Sequence, residues 1–319
     1  MKKAGIGLLI LAVIAVFGFM GTPVRAEAEM TFGISIPAAT HGWTGGVNYW
    51  AERTVERLRF KYPDYNFILA TAEGPEEQIN DIEDLYAIHN IDALIILPFE
   101  SDPLTNPVRY LKEQGVFITV VDRGLAEEGI EDIYVAGDNP GLGRVSAEYM
   151  IDRLDGTGDI VVLRGIPTLI DDQRFDAFME LVDETDINVL DWEYAHWNRD
   201  DGYEVMQDYL TRFDHIDAVW AQDDDIALGV IEAIREVGRE DEMFVVGGAG
   251  MVEIIERVME GDELTPVTVS YPPDMIAAGI EITVLHFDSP SPILGDFIIA
   301  SELITPENAE DFYFPDSPF

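Results

Sequence analysis

Two successive doubly wound α/β units are the fold class this chain predicts, and three observations carry that expectation. Short apolar runs alternate with amphipathic segments along the chain, with no long linker between them. The alternation restarts near Asn139-Pro140, where a second unit of the same kind begins. Two of the runs also end in polar clusters, Val120-Val121-Asp122-Arg123 and Trp220-Ala221-Gln222-Asp223-Asp224-Asp225, with Asp122 and Asp223 101 positions apart. In an open parallel sheet the carboxyl ends of the strands face the ligand crevice. Two such ends in two sheets therefore point to capture of one ligand between two lobes.

Residues 1–26 stand apart from that pattern. Lys2 and Lys3 make a basic start, the run from Gly5 to Met20 is almost wholly apolar, and Val24-Arg25-Ala26 places small residues at the two cleavage-site positions. This predicts a cleaved export leader. A membrane anchor is the competing reading, against which the run is short for a span and gives way to Gly21 and Pro23. The chain has no cysteine, so a lipid-modified cysteine is impossible and the exported protein is built without disulfides.

After the leader, 31–36, 66–71, 93–97 and 116–121 read as buried strands. The segments between them are amphipathic, with Ile79, Ile82, Leu85 and Tyr86 in one helix and Val108, Leu111 and Lys112 in the next. Asn139-Pro140 supplies a capping residue and a proline at the first helical position, followed by Leu142, Val145 and Tyr149 on one face. A second series of strands follows at 159–163, 187–194, 218–220, 243–246 and 265–270.

Loss of the leader removes Lys2, Lys3 and Arg25 but no acid, which takes the formal charge from −43 to −46. With 47% hydrophobic residues the chain is no disordered acidic tail, and it is long enough for two domains with ample core. Acid is spread throughout, while Lys61 and Lys112 are the lysines that remain. Such a surface repels itself, and a Debye length of about 3 Å at 1 M salt relieves the repulsion. The composition thus predicts a protein that works in high salt. Recruitment of a cationic partner or calcium is the competing explanation, but the acids form no single block. Nucleic acid is disfavoured as a partner.

Catalytic signatures are missing: there is no cysteine nucleophile, no Gly-x-Ser-x-Gly elbow and no phosphate loop with its lysine. Gly248-Ala249-Gly250 follows a strand but does not complete a dinucleotide fingerprint. The histidines His41, His89, His196, His215 and His286 lack metal-ligand spacing. Asp223-Asp224-Asp225 lacks the glycine and distal glutamate of a calcium loop and reads as a helix N-terminus, with a cation site as the alternative. More telling are aromatic residues at strand ends: Trp43 after the first strand, Trp197 after Tyr194, and Tyr271 before Pro272-Pro273. An indole face stacks on the C–H face of a sugar, while carboxylate and guanidinium groups take its hydroxyls.

At these residues the chain resembles the periplasmic sugar-binding proteins of the ribose-binding type, the type I solute receptors of ABC importers. The resemblance runs over essentially the whole mature chain and is strongest at 97–102, 120–123, 136–143 and Val219-Trp220-Ala221-Gln222-Asp223-Asp224-Asp225-Ile226-Ala227-Leu228-Gly229. It implies that Asp122 and Arg123 grip ligand hydroxyls and that Trp43 stacks on the ring, with His41 and Thr44 beside it. Trp197 would be the second aromatic, Asp223 takes the place of an asparagine, and Tyr271 takes the place of a glutamine at the lobe crossover. Three departures are expected to alter the pocket. Asp172, just before Arg174, stands where an arginine or similar polar group is common. Ala249 replaces an aspartate, and Leu97 falls where asparagine is frequent, with Glu100 a candidate to take over. Carboxylates at Asp122, Asp172 and Asp223, with Arg123 as main cation, suit a neutral polyol or sugar better than an anion. A protonated amine stays open.

The resemblance also implies architecture: two doubly wound, Rossmann-like lobes joined by a three-strand hinge. The N-terminal lobe would hold 30–137 and 271–299, and the C-terminal lobe 138–270 and 300–319. Crossings are expected near Gly137-Asp138, Ser270-Tyr271 and Ala300. A ligand that bridges both lobes favours the closed state, which then presents a surface to the permease of an ABC importer. The expected protein is a periplasmic monomer that captures a small sugar or sugar alcohol. It needs no cofactor or metal, catalyses nothing and has no stable membrane insertion after cleavage. A sensory receptor for a chemoreceptor or kinase would share fold and ligand, and a secreted enzyme on this architecture lacks a nucleophile with an adjacent base.

Overall fold

The computed structural model describes residues 30–39 and 42–319. The expected leader and His41 lie outside the described residues.

The first series runs β1 (Met30–Pro37), α1 (Gly42–Lys61), β2 (Tyr65–Ala72), α2 (Pro75–Ala87), β3 (Ala93–Ile96), α3 (Ser101–Glu113), β4 (Phe117–Val121) and β5 (Ile133–Gly137). The second runs α4 (Asn139–Arg153), β6 (Thr157–Arg164), α5 (Leu169–Val182), β7 (Asp186–Tyr194), α6 (Arg199–Arg212), β8 (Ala218–Ala221), α7 (Asp224–Val237), β9 (Phe244–Val246), α8 (Val252–Glu260) and β10 (Thr268–Val269). The chain then returns through α9 (Met275–Asp288), β11 (Gly295–Ile299) and β12 (Leu303–Ile304).

Six parallel strands form one sheet in the order β11-β5-β4-β3-β1-β2, and four form another in the order β7-β6-β8-β9. β1, β3 and β8 are buried almost throughout, and β6 from Ile160 onward, as parallel strands covered by helices on both faces must be. The strand order reverses between β1 and β3 in the first sheet and between β6 and β8 in the second. Those switch points open the two crevices from which a ligand site can be built.

Local chemistry sets the helix ends that border the crevices. Asp223 caps α7, its side chain accepting from the Ile226 amide at 2.9 Å, and Gly238 closes the helix with a left-handed φ of 69°. α4 is capped by Asp138, whose carboxylate accepts from the Gly141 amide at 2.7 Å. Asn139, expected to cap it, is instead its first residue, and its side chain is buried. In the second lobe Trp220 is fully buried and stacks on Phe178 at 3.9 Å. Losing a core ring of this size costs about 3–5 kcal/mol.

Three connections cross between the sheets side by side. The Asp138 amide donates to Ile299 O at 2.9 Å, Ser301 Oγ to Asp138 O at 3.0 Å, and the Ser270 amide to Glu302 O at 2.8 Å. β10 pairs antiparallel with β12 just beyond. The tail does not stay with one lobe: Tyr313 hydroxyl donates to Glu256 of α8, while Phe314 packs edge-on against Trp50 of α1 and Phe319 is buried near Gly42 and Gly46. Among the described residues no helix is long and apolar enough to cross a membrane.

Candidate binding site between the lobes

A cleft of about 560 Å³ lies between the carboxyl ends of the two sheets. From the first sheet it receives Asp122 and Arg123 after β4, Leu97 after β3, Pro37 at the end of β1, and Trp43 and Thr44 from the head of α1. From the second it receives Ile170 and Arg174 of α5, Trp197 after β7, Asp223 after β8 and Ala249 after β9, with Tyr271 at the crossover. Eight of the residues singled out from the sequence are therefore brought together: Trp43, Thr44, Asp122, Arg123, Arg174, Trp197, Asp223 and Tyr271.

Asp122 is held in a left-handed backbone conformation, φ 60°, which an aspartate tolerates better than most residues but still at a cost. Its amide donates to Val135 O at 2.8 Å, and its carbonyl accepts from the Tyr134 hydroxyl at 2.7 Å. Its side chain is almost wholly buried and accepts from the Tyr271 hydroxyl at 2.6 Å, which leaves the second oxygen for a ligand. Burial, with the charge of Asp122 next, pushes the Tyr271 phenol far above its ordinary pKa, so it stays a donor. Arg123 is steadied by a hydrogen bond from Nη1 to Phe99 O.

Tyr271 connects the lobes. Its hydroxyl accepts from Asn139 Nδ2 at 3.2 Å, Asn139 Oδ1 accepts from Arg174 Nε at 2.9 Å, and the Arg174 guanidinium lies 4.4 Å from the Tyr271 ring centre. Arg174 Nη1 also donates to Gln222 O at 3.3 Å. A continuous polar chain thus runs from Asp122 in one lobe to Arg174 in the other. Asn139 is the functional residue that sequence reasoning missed, because next to a proline it reads as a cap. Trp43 Nε1 donates to the Tyr271 carbonyl at 3.0 Å, fixing that indole on the first-lobe side. Trp197 stands opposite at φ 51°, against Gly165, where any Cβ would collide with its indole. Its Nε1 is buried against Gly165 and has no hydrogen-bond partner among the described residues.

Asp223 carries the main electrostatic feature. Burial, and then the neighbouring charge of Asp225, push its pKa up to about 7, so near neutral pH it exchanges between acceptor and donor. Asp224 turns away: it accepts from the Gly250 and Met251 amides and from Thr268 Oγ1, at 2.9, 2.7 and 2.8 Å, and braces the loop after β9. Asp225 lies 3.8 Å from Arg199. Among the described residues no group of three or more His, Asp or Glu could hold a metal ion.

Two expected residues stand outside the cleft. Asp172 lies on the outer side of the first turn of α5, 58% exposed, and pairs with Arg164 at 2.7 Å. Its neighbour Asp171 is the buried one, accepting from Arg164 and from the Gly165 amide. Glu100 is exposed at the start of α3 and lines nothing. The pocket is therefore less acidic than the expectation of three carboxylates implied. Pro37 and Ile170, which no sequence signal marked, complete its wall together with Leu97 and Ala249.

Residues 32–289 match the family model described as a periplasmic binding protein domain. The ribose import binding protein of Salmonella typhimurium is 29% identical over 261 residues, 81% of this chain and 85% of its own. A xylitol-binding protein of Mycolicibacterium smegmatis is 31% identical over 175 residues, 54% of this chain and 50% of its own. Among solved structures, an ABC transporter solute binding protein from Bacillus halodurans with bound myo-inositol superposes with a TM-score of 0.78 at 24% identity, covering 90% of this chain and 98% of that one. Another, from Actinobacillus succinogenes with bound D-allose, gives 0.78 at 21% identity over 89% and 100%. With two doubly wound lobes, a three-strand hinge and a cleft between facing strand ends, the chain belongs to the periplasmic binding protein family and has the type I architecture.

Proposed function

We propose that this protein is a solute-binding receptor that captures a small neutral sugar or sugar alcohol between its lobes and delivers it to an ABC importer. The observation that carries the reading is the pairing of carboxylate and guanidinium across the cleft, Asp122 and Arg123 from one lobe and Asp223 and Arg174 from the other, between the indoles of Trp43 and Trp197. Each pair offers an acceptor beside a donor, which suits adjacent hydroxyls, and the rings cover the C–H faces. The ribose import and xylitol-binding relatives support the same class of ligand. A sugar acid would place its charge against Asp122, and the two arginines are already partly committed to Phe99, Asn139 and Gln222.

Capture without turnover fits the site, where no nucleophile with an adjacent base is found among the described residues. Family membership supports a periplasmic location; in this reading cleavage of residues 1–26 releases the protein there, and it acts as a monomer that presents its closed form to a membrane permease. Bound ligand stabilises the fold by mass action, so a thermal-shift screen in high salt against sugars, polyols, sugar acids and amines tests the reading. A large rise in melting temperature with a neutral sugar or polyol is expected. A response to amines or acids alone would overturn it.

A further inference from the structure

The cleft is polar at one end and chemically silent at the other. In each sheet a polar strand end lies beside an apolar one: Asp122 after β4 neighbours Leu97 after β3, and Asp223 after β8 neighbours Ala249 after β9. Both apolar ends line the same cleft. Leu97 donates its amide to Ser35 O of β1, whose last residue is Pro37, and Trp43 follows on the same side. The Trp43 indole bonds the Tyr271 carbonyl, and the Tyr271 amide bonds Ala249 O at 3.2 Å. Pro37, Leu97 and Trp43 from the first lobe and Ala249 from the second thus make up an apolar wall of the cleft.

The side chains of Pro37, Leu97 and Ala249 carry no hydrogen-bonding group, and the backbone groups beside them are engaged within the protein. Pro37 has no N–H, and its carbonyl accepts from Asn48 Nδ2 at 2.8 Å. Leu97 O accepts from Gln78 Nε2 at 2.9 Å, so both of its backbone groups are used. The Ala249 amide donates to Val269 O at 2.7 Å, its carbonyl is taken by Tyr271, and its side chain is a methyl. Trp43 has spent its indole N–H, and Thr44 beside it has an interaction within the protein. Among the described residues, a ligand hydroxyl turned toward Pro37, Leu97 or Ala249 meets no side-chain partner on them.

We propose that the ligand turns a deoxy or methyl-bearing edge to this wall, so that the substrate class is a deoxy sugar or deoxy polyol, with Leu97 and Ala249 as the residues that select it. The inference rests on the sugar-receptor reading above. The vicinal hydroxyls go to Asp122 and Arg123 and to Arg174 and Asp223, and the carbon that lacks oxygen packs on Leu97, Ala249 and Pro37. A hydroxyl buried there without a partner weakens binding by about tenfold or more, whereas a methyl gains contact.

Calorimetric titration of the mature protein in high salt with matched pairs decides it: D-fucose against D-galactose, L-rhamnose against L-mannose, and 2-deoxy-D-ribose against D-ribose. At least one deoxy member should bind about tenfold or more tightly than its hydroxylated parent. Ala249→Asp and, separately, Leu97→Asn should narrow or invert that ratio. Position 249 has φ 87°, which aspartate tolerates at least as well as alanine, so the first variant should fold, and the second covers the case in which it does not. Binding confined to fully hydroxylated sugars or polyols would overturn the inference and leave the receptor reading standing. No binding by any sugar or polyol would overturn that reading and the inference with it.

Discussion

At Asp223 one carboxylate serves two ends, capping α7 through the Ile226 amide and facing the cleft. Burial and the Asp225 charge raise its pKa from 3.8 to about 7, so the folded state prefers it protonated. Between those values the folded protein binds more protons than the unfolded chain. Stability from this group is complete below about pH 4 and is lost as pH rises through about 7. Asp223→Asn keeps the cap and cannot ionise. It should match the wild type in urea unfolding near pH 4 and exceed it at pH 8 by a few kcal/mol, about 4 if the whole shift is expressed. Equal midpoints at both pH values would refute the burial argument. Asp122→Ala removes an acceptor in charge-assisted contact and should weaken ligand binding about 100-fold with only a few degrees lost in melting temperature. Unchanged affinity in a titration would remove Asp122 from the site. Residues of this kind were legible because each lies within two positions of the end of an apolar run, and such a run fixes where a strand ends. Asp172 misled because Asp171 and Asp172 are identical neighbours on one turn, and only the packing of Arg164 decides which faces inward. Pro37 and Ile170 carry no chemical signal and enter the wall through tertiary placement alone, and Asn139, read as a cap, reaches Arg174 in the same way.

Among the elements, α4 and α5 are set by a close approach that leaves no room for a methyl. A Cβ at Gly143 would collide with the carbonyl oxygen of Arg174, and therefore with the backbone of a cleft residue. Gly143→Ala should cost about 1–3 kcal/mol in unfolding free energy and weaken ligand binding in parallel, since α5 can yield only by moving Arg174. Gly45→Ala is the contrast: its nearest neighbour would be Pro318 at 3.6 Å, an ordinary contact, and the change should be neutral or slightly stabilising. If the two substitutions had the same effect on urea midpoints, helix propensity and not packing would be in control. Most elements were readable from periodicity because β3 and β8 are continuous apolar runs buried on both faces, and β1 alternates large apolar residues with Thr31, Gly33 and Ser35. β5 and β11 were not. β5 follows the acid-rich stretch at 127–132 and is only five residues long, and β11 is an edge strand with alternate residues exposed. The expected strand at 265–270 shrinks to Thr268–Val269 because the chain there is leaving the second sheet for the crossover.

Over the whole molecule the dominant quantity is charge. Sixty-two acidic residues face 19 lysines and arginines, and single arginines are already shared: Arg212 pairs with Asp191 and Asp208, Arg164 with Asp171 and Asp172. Most carboxylates consequently face other carboxylates across water. Folding brings those charges together, whereas unfolding spreads them, so repulsion opposes the compact state at low ionic strength. It also opposes lobe closure, which moves two acidic bodies toward each other. Screening acts on both, because the Debye length shrinks from about 10 Å at 0.1 M to about 3 Å at 1 M. The melting temperature should therefore rise by 10 °C or more between about 0.1 M and 2 M KCl, with most of the gain complete by about 1 M. Ligand affinity should increase over the same range. Sucrose at matched osmolality tests the cause, since it strengthens burial without screening charge and should reproduce only a small part of the rise. A melting temperature indifferent to KCl, or one raised equally by sucrose, would show that the acidic surface leaves the fold unstrained and that some other pressure selected it.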